Sequence, residues 1–179
     1  LGKKRNHIVI GLTGVNYDVK ETLAKSLQSQ LARLLRKPMH IINYINDAKN
    51  TENGVDMKRV FTWESDYLAL DNAVKGQSNI VCQSIIDRVA IANLAKLPMD
   101  VYFSRVLAGH VREYDLLVYC PPKVQVWDDS TTYESKLDNA ICQVISDNGF
   151  HAQVIIGDVR QQCDIVLSAL RFRLGKTIV

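Results

Sequence analysis

At 179 residues, with 47% hydrophobic and 23% charged side chains, the chain is long enough to bury one full core and too apolar to be disordered. Its formal charge of +3 is mild and gathers at the ends, in Lys3, Lys4 and Arg5 and in Arg171, Arg173 and Lys176, without the basic-aromatic interleaving of a nucleic-acid surface. Cys82, Cys120, Cys142 and Cys163 form no C-x-x-C pair, which argues against the common zinc patterns and a disulfide framework; with no long apolar run or leader, a reducing cytosol is expected, and no membrane.

In chain order, residues 7–11 (H-I-V-I-G) read as a continuous apolar strand of the kind buried on both faces of a parallel sheet. Residues 11–20 read as a loop. A helix follows, with Leu23, Leu27, Leu31, Leu34 and Leu35 on one stripe, and Pro38 ends it. Residues 40–44 read as a second strand and 45–57, rich in Asn and Asp, as an exposed loop. A helix is expected within 65–74, a third strand over 79–82, and helices over 85–96 and 100–113. Residues 115–120 make a fourth strand, stopped by Pro121-Pro122, before a polar loop over 123–132. A helix carrying Leu137, Ile141, Val144 and Ile145 ends at Asn148-Gly149. A fifth strand over 153–156 and a helix over 159–174 complete the chain. Such alternation predicts an α/β fold: one domain over 1–179, a five-stranded parallel sheet with helices on both faces.

In sheets of this kind ligands sit at the carboxyl ends of the strands, so the first loop matters most. It reads Gly11-Leu12-Thr13-Gly14-Val15-Asn16-Tyr17-Asp18-Val19-Lys20-Glu21-Thr22. Against the phosphate-loop pattern G-x-x-x-x-G-K-[ST], Gly14 and Lys20 are in place. Val19 stands for the second glycine, Glu21 follows the lysine, and Thr22 comes one residue late. At Val19 a β-branched side chain is expected where backbone N–H should approach phosphate.

This segment resembles phage-type deoxynucleoside monophosphate kinases, which carry G-L-T-G-x-x-x-S-G-K-D-T-x-A here. The resemblance implies a P-loop, nucleotide-kinase-like fold, with Gly11, Gly14, Lys20 and Thr22 as nucleotide-contacting positions. Residues 79–88 (N-I-V-C-Q-S-I-I-D-R) are similar to a strand followed by Asp-Arg-Ser in the wider nucleoside-kinase group, which includes the nicotinamide riboside kinase-like ATPases. There the Asp-Arg pair serves metal and acceptor; here it is Cys82-Gln83, and a neutral amide lacks the bidentate grip of arginine. Asp87 and Arg88 are expected as capping or surface charge. Tyr114 to Pro122 looks like the group's fourth strand with its proline pair. Val126 to Thr132 takes the place of the lid, about 123–132, but closes on Thr132 without the arginine that neutralises a transferring phosphoryl group. Asp128 and Asp129 read as a solvated turn.

No other constellation carries chemistry. His7, His40, His110 and His151 share no metal-ligand spacing, and Phe61, Trp63 and Tyr67 read as packing aromatics. No residue is assigned as catalytic. Val19, Cys82, Gln83 and the lid each remove a different part of phosphoryl transfer, so three readings stand. The first is a kinase-derived interaction or assembly subunit of phage type, with a protein partner or homo-oligomer and no cofactor. The second is an active nucleoside or deoxynucleotide kinase using ATP and Mg²⁺ through Lys20 and Thr22. The third is a nucleic-acid-binding accessory. All are placed in the cytoplasm of a cell or an infected host.

Overall fold

The computed structural model describes residues 7–43, 76–96, 101–122 and 132–175, with 101–106 as backbone. Five strands form one sheet in the order β2-β3-β1-β4-β5. They are β1 (Val9–Thr13), β2 (Met39–Ile42), β3 (Ser78–Val81), β4 (Leu116–Tyr119) and β5 (Ala152–Val154). Every pairing is parallel. The described helices are α1 (Tyr17–Leu35), α2 (Ile85–Leu94), α3 (Val101–Glu113), α4 (Tyr133–Asp147) and α5 (Val159–Leu174).

The two-residue period of the strands divides the core into two layers. Ile10 and Leu12 of β1, with Leu116 and Val118 of β4, bury against Leu23, Leu27 and Leu31 of α1 and Val166 and Leu170 of α5. Val9, Leu117 and Tyr119 belong to the opposite layer, with Ile86 and Val89 of α2, Leu107 of α3 and Ile141 and Val144 of α4. The leucine stripe of α1 is the one the sequence predicts. Leu23, Leu27 and Leu31 are wholly buried, so truncating any of them to alanine would cost about 2–5 kcal/mol. No described helix is long and apolar enough to cross a membrane.

Side chains anchor the start of the central strand. The Ser78 Oγ accepts from the Ile8 amide at 3.1 Å, and the Asp115 carboxylate accepts from the Val9 amide at 2.8 Å. At the far end of the sheet, α5 opens with a reciprocal capping box between Asp158 and Gln161.

The main departure from expectation is at the first junction. β1 continues through Gly11 to Thr13, because Gly11 pairs with Val81 and Leu117 and lies under the Tyr114 ring. α1 then begins at Tyr17, so only Gly14, Val15 and Asn16 separate strand from helix. A ten-residue loop is replaced by a three-residue turn. The expected loop at 45–57, the helix within 65–74, the aromatic group Phe61, Trp63 and Tyr67, and residues 123–131 of the lid segment lie outside the described residues, as do Lys3, Lys4, Arg5 and Lys176.

Candidate functional site

The turn after β1 is held by backbone geometry. Gly14 has φ +133°, and a Cβ there would stand 2.2 Å from the Cys120 carbonyl oxygen. Only glycine meets both conditions. Asn16 is the N-cap of α1, its side chain accepting from the Val19 amide at 3.1 Å. Val19 therefore does not place its methyl groups in an open phosphate loop, as expected; it is the third residue of α1, partly buried against the core.

Lys20 belongs to the buried stripe of α1, three residues before Leu23 and seven before Leu27. It is 2% exposed, and its ammonium donates to Asp87 Oδ2 at 2.9 Å. The other oxygen of that carboxylate, Oδ1, accepts from the Thr13 hydroxyl at 2.5 Å and from the Gly14 amide at 3.0 Å. Asp87 is thus not the capping or surface charge expected from its place early in α2. It is 3% exposed, and the N-cap of α2 is Ser84, which makes no side-chain capping bond. A hydroxyl, a backbone N–H and an ammonium, all from β1, its turn and α1, converge on one carboxylate from α2. A buried ion pair is tolerable only when its remaining hydrogen-bonding capacity is also met, and Thr13 and Gly14 meet it for Asp87.

The other predicted positions are dispersed. Thr22 is exposed, about 200° around the axis of α1 from Lys20, so the two do not face one ligand. Glu21 lies on the surface side and pairs with Lys25 at 2.8 Å. Gly11 packs against Tyr114, and the hydrogen bonds to Asp87 come from Thr13, Gly14 and Lys20. Cys82 is buried beside this group, where desolvation pushes its thiol up to about 11 although Lys20 pulls the other way. Cys120 is likewise buried and pushed up to about 12, chiefly by desolvation. Gln83 is half-buried next to Ser84, whose wholly buried hydroxyl has no partner among the described residues. Thr132 is the N-cap of α4, its side chain accepting from the Ser135 amide at 3.2 Å.

A second polar group lies across β4. The Tyr119 hydroxyl donates to Asp138 Oδ1 at 2.7 Å and accepts from the exposed Cys142 thiol at 3.5 Å. Burial raises the Tyr119 phenol far above its ordinary range and raises the Asp138 carboxyl as well. At the mouth of the sheet the Asn43 amide donates to the Tyr17 hydroxyl, tying the end of β2 to the first residue of α1. Among the described residues no three metal-ligating side chains come together.

Asp87 is the residue that sequence reasoning missed. The signal was present in two places: a lysine on a leucine stripe, and one acid in the apolar run Ile85-Ile86-Asp87-Arg88-Val89-Ala90. Each implies a buried charge, and a buried charge requires an opposite partner.

No protein-family model matches the chain, and no curated protein matches it by sequence. Solved structures do. The thymidylate kinase of Ehrlichia chaffeensis superposes with a TM-score of 0.60 at 12% identity, over 92% of this chain and 98% of that one. The deoxyadenosine kinase of M. mycoides, solved with dCMP and dCDP, superposes with a TM-score of 0.53 at 13% identity, over 92% and 99%. The chain has a P-loop, nucleotide-kinase-like fold, and at this identity the likeness is one of fold.

Proposed function

We propose that this nucleotide-kinase-like chain does not transfer phosphoryl groups and serves instead as an interaction or assembly subunit of phage type, working in the cytoplasm of a cell or an infected host. One observation carries the reading. α1 runs unbroken from Tyr17 through Lys20 and Thr22, so the group meant for phosphate is buried and the group meant for Mg²⁺ is exposed on the other side of the helix. A Mg·nucleotide fits these residues poorly, because the Lys20 ammonium is already held by Asp87. Support for a protein partner comes from β5, which among the described residues pairs with β4 alone and leaves Val154 and Ile156 exposed at the edge.

The test is calorimetry of Mg·ATP and Mg·GTP against wild type and Val19→Gly. No heat from wild type is the expected result. Val19 is one of several helical residues in the first turns of α1, so restoring one glycine is expected to add no binding either. Micromolar binding by wild type would overturn the proposal. It would instead favour the second reading, an ATP- and Mg²⁺-dependent nucleoside or deoxynucleotide kinase, for which thymidylate and deoxyadenosine are the first acceptors to screen. That reading draws on the intact convergence of Thr13, Gly14 and Lys20. The nucleic-acid reading has only the basic ends behind it, and a steep fall of affinity with salt would be its mark.

A further inference from the structure

The donors around Asp87 come from one stretch of chain, Thr13, Gly14 and Lys20, whereas the acceptor comes from α2, 67 residues beyond the lysine. The Gly14 amide is aimed by a backbone conformation that the Cys120 carbonyl and φ +133° together enforce. Asp87 stands in the first turn of α2 but does not cap it, since the N-cap position belongs to Ser84. Both carboxylate oxygens are turned to the β1–α1 junction and are shielded from water, with the Lys20 and Asp87 side chains 3% and 4% exposed.

From this we infer that Asp87 is a built-in anion. Its carboxylate occupies an anion site made by the Thr13 hydroxyl, the Gly14 amide and the Lys20 ammonium, and so holds that site shut against free anions. The inference deepens the functional reading above and rests on it: the junction is closed because the chain supplies its own ligand. With the carboxylate removed, the three donors take a small oxyanion from solution, formate or acetate by direct likeness and inorganic phosphate by the same charge and acceptor chemistry. An ordinary structural ion pair makes a different prediction, namely that removing Asp87 weakens the protein and no anion restores it.

The experiment is thermal unfolding of Asp87→Ala in sodium chloride, formate and phosphate at matched ionic strength. The variant is expected to melt below wild type in chloride. It should recover by about 5 °C or more when the anion exceeds its dissociation constant about a hundredfold. Wild type and the double variant Asp87→Ala with Lys20→Met should show only the small general stabilisation that phosphate gives a folded protein, well short of the recovery of Asp87→Ala. Should Asp87→Ala not fold in chloride, folding in formate is the expected result, and failure in every salt overturns the inference. A folded Asp87→Ala that formate and phosphate shift no more than they shift wild type overturns it equally. The two readings fail separately, because nucleotide binding by wild type sinks the functional proposal while anion-indifference of the variant sinks this one.

Discussion

Gly11 and Gly14 look alike in the G-L-T-G string, yet different neighbours require them. At Gly11 an added methyl would meet the Tyr114 ring at 2.8 Å, a buried side chain rather than backbone. At Gly14 it would meet a backbone carbonyl at 2.2 Å from a conformation that side chains rarely adopt. Gly14→Ala is therefore expected to cost about 3 kcal/mol or more, and Gly11→Ala about 1–2 kcal/mol. Urea denaturation of the two variants checks the order; equal losses would mean that the turn is not held by the Cys120 contact. The string was legible as the junction after the first strand, though as part of a long loop and not as strand and short turn. That its glycines answer to Tyr114 and Cys120 was not, because both residues come from about a hundred positions later in the chain.

The element that decides the reading of the site is α1. Its start was written in the sequence as Asn16 followed by the acidic Asp18, an N-cap and a first-turn carboxylate, but the glycine-lysine spacing pointed to a longer loop. Asn16→Ala should remove about 1 kcal/mol of stability, and Asn16→Asp should retain most of it. If the alanine variant is as stable as wild type, the cap does not hold the helix start, and the separation of Lys20 from Thr22 would rest on packing alone. α2 gives the complementary lesson. Its residues Ile85, Ile86, Val89, Ala90 and Ala92 are all buried, and Asp87 is buried with them. Read as one residue near a helix start it looked like a surface charge; read as part of a helix buried on several sides, it needs the lysine that α1 supplies.

Across the whole molecule, the two-layer core governs the chemistry of the thiols. Cys82, Cys120 and Cys163 are buried, while Cys142 is exposed on α4. One thiol should react rapidly with iodoacetamide in the folded protein and four in denaturant. Burial raises Cys82 to about 11 and Cys120 to about 12, and raises Cys163 as well. A raised folded value means that stability is complete below the ordinary thiol range, about 8.5, and is lost as pH rises through the folded values. The urea midpoint of wild type should accordingly fall between pH 8 and pH 11, and should fall less in the double variant Cys82→Ala with Cys120→Ala. Equal slopes would place the alkaline sensitivity elsewhere, with Tyr119 the next group to substitute.

The alternation of short apolar runs with leucine-striped helices was enough to specify a five-stranded parallel sheet covered on both faces, since strand and helix periods are local properties of the chain. The G-L-T-G string, Lys20 and the proline pair after β4 were enough to point to the nucleotide-kinase plan. Tertiary structure alone decided what Lys20 does. A side chain's partner across 67 residues depends on which helices the sheet brings together, and no local pattern encodes the meeting of α1 with α2 over the end of β1. It also decided where the loop stops and the helix begins, because the continuation of β1 through Gly11 depends on strands β3 and β4 lying on either side of it.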